Sequence, residues 1–320
     1  MINSLKFMSG DSEYKEIVYD KNWYEHTALV AINRPHEYNS YTLTTLREMI
    51  DAIEKSMFDD DVQFIVLSGV GDKAFCTGGN VHEYAEEYNR KSADFWKWGE
   101  IYGRVFDMIM HCGKPVIARV NGITAGGGFE FVCACDLAIA SENARFLSPG
   151  PRVGMTSIGG LSQWLPLHIG LKRAAKIVML STDIDAKTAL EWGVVNEVVP
   201  QDKLDDKVKE YIDRMLDLSH SSLWYFKVHL NWWRDLVWRL TWEHGKAWFS
   251  LNIGSMEPTE GLWSFKEKRK TEMREIRDFI AKGGDPRYPF GPYRRRCAKC
   301  GAKYLPADSK YCLECGAELE

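Results

Sequence analysis

The stretch KPVIARVNGITAGGGFE (Lys114–Glu130) decides how the chain folds. PVIARVNG (Pro115–Gly122) is a continuous apolar run ended by glycine, the pattern of a strand buried on both faces. Gly126, Gly127 and Gly128 follow and lead into an expected helix that carries Glu130 in its first turn. Glycines before a helix leave bare backbone N–H groups at its positive end, where a ligand oxygen can approach without meeting a Cβ. Such clusters also serve as plain packing or turn devices, so one alone decides little.

Working outward, the same theme recurs. TALVAI (Thr27–Ile32), QFIVLSG (Gln63–Gly69) and DLAIAS (Asp136–Ser141) read as further strands. TLTTLREMIDAIEKSM (Thr42–Met57) reads as a helix, with Leu46, Met49, Ile50 and Ile53 on one face. Strand–helix alternation predicts an α/β architecture. A second glycine turn, AFCTGGNVHEY, places Gly78 and Gly79 after another strand and before another helix. Two such turns converging would make an oxyanion hole from backbone alone, worth ~3 kcal/mol per donor. Neither turn fits G-x-G-x-x-G or a phosphate-binding loop, which removes dinucleotide oxidoreductases and triphosphate enzymes from consideration.

From Asp202 the pattern turns helical and holds seven of the twelve tryptophans: Trp224, Trp232, Trp233, Trp238, Trp242, Trp248 and Trp263. An aromatic-rich helical region reads as core or subunit interface. The chain ends in C-x2-C-x11-C-x2-C, formed by Cys297, Cys300, Cys312 and Cys315, with Gly301 and Gly316 behind each second cysteine. Two such knuckles complete a tetrahedral Zn2+ site of structural type. The other four cysteines show no disulfide framework, as expected in a reducing compartment. Net charge is −4 over 320 residues, so there is no global basic field for nucleic acid, with Arg294–Arg296 the local exception. The opening MINSLKFMSGDSEYKE has no apolar signal region, and no run of eighteen apolar residues predicts a membrane span. A cytoplasmic protein is the expectation.

Six segments together resemble the crotonase (enoyl-CoA hydratase/isomerase) superfamily: INRPHEYNSYT, GDKAFCTGGNVHEY, KPVIARVNGITAGGGFE, ACDLAIASENARF, GPRVGMTSIGG and DAKTALEWGVVNEVVP, and the resemblance as a whole covers roughly residues 15–280. The resemblance implies a spiral core of ββα repeats over 15–200, a helical trimerisation and active-site cover region over 201–285, and an appended linker and zinc ribbon over 286–320. It also implies a CoA thioester substrate, a thioenolate-type intermediate, a homo-trimer or hexamer, and no organic cofactor beyond the CoA moiety itself.

Carried over by position, Gly79 and Gly127 match the residues whose N–H groups hold the thioester oxygen, and Glu130 matches the first of the hydratase's two catalytic glutamates. Gly78, Asn80, Val81, His82 and Gly126 flank the turns as expected substrate contacts, and Arg34 and the KEKRK run (Lys266–Lys270) are expected at the CoA phosphates. The departure lies in FLSPGPRVG, where Gly150 stands at the position of the second glutamate. That leaves two-carboxylate water addition in doubt, with Arg152 beside the gap as a possible anion contact. A retained Glu130 with a G-P-basic turn resembles the 6-oxocyclohexene-1-carbonyl-CoA hydrolases. Such an enzyme adds water to a cyclic enoyl-CoA and then opens the ring. An ordinary hydratase/isomerase and a non-catalytic acyl-CoA-binding or partner-docking protein are the alternatives. Glu83, Glu86 and Glu87 in EYAEEYNRK read as a solvated acidic face.

Overall fold

The computed structural model describes residues 14–286, 293–303, 305–306 and 309–319. The expectations placed on the first thirteen residues, on linker residues 287–292 and on the side chains of Arg294 and Arg295 lie outside the described residues.

The strands, in chain order, are β1 (Ile17–Tyr24), β2 (Thr27–Ile32), β3 (Phe64–Gly69), β4 (Ala74–Cys76), β5 (Val116–Val120), β6 (Ile123–Ala125), β7 (Leu137–Ser141), β8 (Arg145–Leu147), β9 (Ile184–Asp185), β10 (Glu197–Val199), β11 (Tyr293–Arg295) and β12 (Leu305–Pro306). The helices are α1 (Leu43–Phe58), α2 (Val81–Glu83), α3 (Ser92–His111), α4 (Gly127–Ala134), α5 (Leu161–Ile169), α6 (Leu171–Leu180), α7 (Ala186–Trp192), α8 (Leu204–Leu216), α9 (His220–Asn252), α10 (Met256–Lys266) and α11 (Met273–Ala281).

A six-stranded sheet has the order β1-β2-β3-β5-β7-β10, and a four-stranded sheet the order β4-β6-β8-β9. The chain lays one strand in the large sheet and the next in the small one: β3 then β4, β5 then β6, β7 then β8. Neighbours from these passes are parallel, so each needs a crossover, which α3 and α4 supply. This is the ββα spiral that the sequence resemblance implies. The antiparallel β1–β2 pair carries a register shift between Asp20 and Tyr24 and forms the sheet's edge.

The large sheet is covered on both faces, which explains its unbroken apolar strands. Ile65, Leu67, Val116 and Ala118 join the main core with α1 and α3. The alternating residues Phe64, Val66 and Ile117, with Ile139, pack on Leu204, Val208 and Ile212 of α8. Helix α1 starts where Thr42 accepts from Thr44 and Thr45 and closes a capping box with Thr45.

Helix α9 runs for 33 residues. Lys227, Asn231, Arg234, Trp238, Trp242 and Lys246 recur at three- and four-residue spacing and are buried. Charged members of this stripe are satisfied: Lys227 Nζ donates to Asp136 Oδ2 at 2.7 Å and to the carbonyls of Ile109 and Lys114. The tryptophans therefore divide. Trp238 and Trp242 are core, whereas Trp224, Trp232, Trp233 and Trp248 are exposed on the outer side of α9 together with Leu230 and Leu240. No helix among the described residues is long and apolar enough to cross a membrane.

Candidate active site

The two glycine turns meet in space. Gly78 ends the first with φ +93° and Gly126 the second with φ +51°, both left-handed positions that favour glycine. A Cβ on Gly78 would lie 3.2 Å from the backbone nitrogen of Gly127. Gly79 bridges Tyr41 in parallel register, and that bridge uses the carbonyl of Gly78 and the N–H of Asn80. Gly79's own N–H is left out of the pairing. Gly127 is the first residue of α4, so its N–H belongs to the orphan donors of the helix start. Arg234 Nη1 donates at the other end of α4 to the carbonyls of Cys133, Ala134 and Cys135, at 3.0, 2.8 and 3.0 Å. The cation sits where the helix dipole is negative and fixes the helix from below.

A pocket opens between these turns. Its wall includes Gly78, Gly79, Gly126, Gly127, Glu130 and Gly150, and also Val81. Glu130, 2% exposed, sits one turn into α4. Its Oε2 accepts from the Tyr102 hydroxyl and its Oε1 from the Leu161 N–H at 3.3 Å. Burial dominates and pushes its carboxyl up to about 7, while the Tyr102, Leu161 and Gly159 hydrogen bonds pull the other way. A carboxyl near neutrality can both take and return a proton at working pH. No carboxylate stands at Gly150, and a Cβ there would meet the Met155 carbonyl oxygen at 2.9 Å. Ser148 and Ser157, beside it, share an Oγ···Oγ contact of 3.3 Å.

Part of the remaining wall is aromatic, and this part was not legible as a site in the sequence. Tyr41, Tyr84, Trp98, Tyr102 and Phe249 line it. Trp98 and Tyr102 stack with centroids 4.9 Å apart, and Tyr41 stacks on Tyr102 at 5.5 Å. The three phenols are each held well above 10, first by burial and then by neighbouring phenols and carboxyls, so they remain neutral O–H groups.

Four expected substrate contacts lie off the pocket wall. Arg34 is held by Glu16 at 2.6 Å and by Glu37, with its Nε donating to the Ser40 carbonyl, so its charge is already matched within the fold. Asn80 caps α2 by accepting from the Glu83 N–H at 3.0 Å. His82 is exposed and edges onto Phe265. Arg152 is exposed and donates to the Ser181 carbonyl at 2.6 Å. In the basic run, Lys266 pairs with Glu86 at 2.5 Å and Arg269 with Glu260 and Glu267 at 2.6 Å each. In EYAEEYNRK, Glu86 and Glu87 are exposed as expected, and the departure lies at Glu83–Ala85. Tyr84 and Ala85 turn inward on a π-helical turn, and Glu83 Oε1 accepts from the Leu43 N–H at the start of α1.

The terminal cysteines form a separate centre. All four Sγ atoms lie within 4.8 Å of one another, with Cys297–Cys315 at 3.7 Å and Cys300–Cys312 at 3.6 Å. A tetrahedron with metal–sulfur bonds of ~2.3 Å has edges of ~3.8 Å, so the donor set fits. The two knuckles repeat one another. Cys297 N–H donates to Ala302 and Cys312 N–H to Ala317, and Gly301 and Gly316 take φ +75° and +68°.

With this ββα spiral, its paired glycine turns and its buried carboxyl, the chain belongs to the enoyl-CoA hydratase/isomerase family, whose model matches residues 23–275. Members of this superfamily act on CoA thioesters. A 6-oxocyclohex-1-ene-1-carbonyl-CoA hydrolase of Geobacter metallireducens is 30% identical over 305 residues, 80% of each chain. A protein of the same name from Thauera aromatica is 38% identical over 178 residues, 56% of this chain and 47% of its own. The solved structure of an enoyl-CoA hydratase from Mycobacterium avium subsp. paratuberculosis K-10 superposes with a TM-score of 0.70 at 25% identity, covering 81% of this chain and 99% of that one.

Proposed function

We propose that this protein adds water to a cyclic enoyl-CoA through a thioenolate and then opens the ring by hydrolytic C–C cleavage. One observation carries the reading: Glu130 faces the paired glycine donors alone, with glycine where a second carboxylate would stand, inside an aromatic pocket suited to a planar ring. The similarity to two ring hydrolases supports the same choice.

In the first half, water oxygen bonds to the β-carbon and the double-bond electrons move to the thioester oxygen. The N–H groups of Gly79 and Gly127 receive that charge without reorganising. Glu130, near its midpoint at neutral pH, supplies the proton exchange. In the second half, water adds to the ring ketone and the bond from that carbon to the α-carbon breaks. Its electrons again go to the thioester oxygen, and the α-carbon takes a proton. Both halves use one oxyanion hole.

The test is mass spectrometry of products from a panel of CoA thioesters, cyclic enoyl-CoAs included, in 18O-labelled water. Two added waters with ring opening are expected. A single added water reduces the enzyme to an ordinary hydratase, and binding without turnover makes it an acyl-CoA-binding protein.

The tail cysteines are assigned to one structural Zn2+, bound by Cys297, Cys300, Cys312 and Cys315. Among the described residues their buried cluster holds Leu305, Leu319 and two of those cysteines, a small core of the kind that metal binding orders. Metal analysis should find about one zinc per chain. A purified protein with four free tail thiols and no metal would refute the assignment. The exposed aromatic face of α9 is assigned to contacts between copies of the chain in a trimer or hexamer.

A further inference from the structure

The pocket lacks a second carboxylate, and the serines beside Gly150 are poor acids and bases. Three phenols, Tyr41, Tyr84 and Tyr102, also stand on its described wall. They come from three separate elements, the turn before α1, the π turn after α2, and α3, yet their hydroxyls converge on the two oxyanion glycines. A Cβ on Gly79 would lie 1.8 Å from Tyr84 Oη. A Cβ on Gly127 would lie 2.1 Å from Tyr41 Oη and 2.7 Å from Tyr102 Oη, so those two oxygens share the space of one methyl group. Tyr102 donates to Glu130 Oε2, the Tyr41 hydroxyl stands against that of Tyr102 beside Gly127, and the Tyr84 hydroxyl stands against that of Tyr41.

Packing alone does not call for these hydroxyls. The same aromatic cluster uses phenylalanine at Phe95, Phe106 and Phe131, each touching one of the tyrosine rings. Burying a hydroxyl costs stability unless it is hydrogen-bonded. Tyrosine appears where the oxygen reaches the pocket.

We propose that Tyr84, Tyr41 and Tyr102 form a proton wire ending on Glu130, which lets one carboxylate act at two points of the pocket and replaces the acid/base group missing at Gly150. The proposal rests on the acyl-CoA reading above. A water at the Tyr84 end gives its proton to the Tyr84 oxygen. Tyr84's own proton passes to Tyr41, Tyr41's to Tyr102, and Tyr102's to the Glu130 carboxylate. The remaining hydroxide oxygen bonds to the β-carbon, and the double-bond electrons move to the thioester oxygen. Glu130 then hands its proton directly to the α-carbon. Each phenol ends with the number of protons it began with, and the net change is one water added.

The wire is needed for hydration but not for exchange at the α-carbon, which Glu130 reaches directly. The experiment compares wild type, Tyr41→Phe, Tyr84→Phe and Glu130→Gln. It follows hydration of cyclohex-1-ene-1-carbonyl-CoA, and deuterium uptake from D2O at the α-carbon of cyclohexane-1-carbonyl-CoA. Tyr41→Phe and Tyr84→Phe keep the rings, and melting curves report their folding. Each should lose hydration by ~100-fold, the scale of a positioned acid/base group, with KM and α-exchange within about 3-fold of wild type. Glu130→Gln should lose both reactions. Wild-type hydration in either folded phenylalanine variant overturns the wire. Equal loss of hydration and exchange also overturns it, because the phenols would then only shape Glu130. A wild-type protein that performs neither reaction overturns the acyl-CoA reading itself, and the wire with it.

Discussion

Glu130→Gln should lower turnover at least ~100-fold while leaving CoA-thioester affinity nearly intact, because it removes proton transfer and little binding. Wild-type turnover in that variant would take Glu130 out of the mechanism. The same substitution should change how stability depends on pH. The carboxyl titrates near 4.5 when unfolded and, through burial, at about 7 when folded. Between those values the folded state holds more protons than the unfolded one, so stability falls as pH rises through the window. The loss should total ~3 kcal/mol between pH 4 and pH 8. Glutamine does not titrate, so the variant should lack this slope. Denaturant unfolding at several pH values measures it, and identical slopes would contradict the burial of an ionisable group here. On the acid side the wild-type kcat/KM should rise with pH through about 7, as the carboxylate form of the free enzyme accumulates.

Gly127→Ala should be nearly as damaging, for a different reason. The added methyl would stand 2.1 Å from Tyr41 Oη and 2.7 Å from Tyr102 Oη. Neither ring can retreat. Tyr41 is stacked on Tyr102 and tilted against Phe131, and Tyr102 is wedged against Trp98 and Phe106. Overpacking of this kind costs ~1–3 kcal/mol in stability. Relief by moving the start of α4 would carry the Gly127 N–H off the thioester oxygen, at ~100- to 1000-fold in kcat. The loss should fall on kcat more than on KM, since the donor matters most once charge has developed. A folded Gly127→Ala enzyme with ordinary turnover would remove Gly127 from the oxyanion role.

The fold was readable because both-face burial writes itself as unbroken apolar runs, as in FIVLSG, and because glycines mark where such strands stop. The paired turns and Glu130 were readable for a related reason: backbone donors and a first-turn carboxylate are local features of sequence. The phenols were not. Tyr41, Tyr84 and Tyr102 lie in unrelated segments and meet only through the spiral. The one available sign was Tyr102's place in the buried stripe Phe95, Trp98, Tyr102 and Phe106 of α3, which reads equally well as core. The ion pairs of Arg34 were not legible either, because a basic residue in a family motif shows nothing of its partners. Its partners Glu16 and Glu37 are brought to it by β1 and by the turn after β2. In the acidic run after Val81 the exposed Glu86 and Glu87 follow the charge pattern, whereas the inward turn of Tyr84 and Ala85 comes from a π turn that the charge pattern does not show.

The collision at Gly150 bears on ancestry. A Cβ there would stand 2.9 Å from the Met155 carbonyl oxygen, so any side chain requires the backbone of this turn to shift. Glycine and glutamate can differ by one nucleotide, yet that exchange would not by itself yield a site with two working carboxylates. Any side chain at this position, a carboxylate included, therefore needs a shift in the turn as well as a new codon.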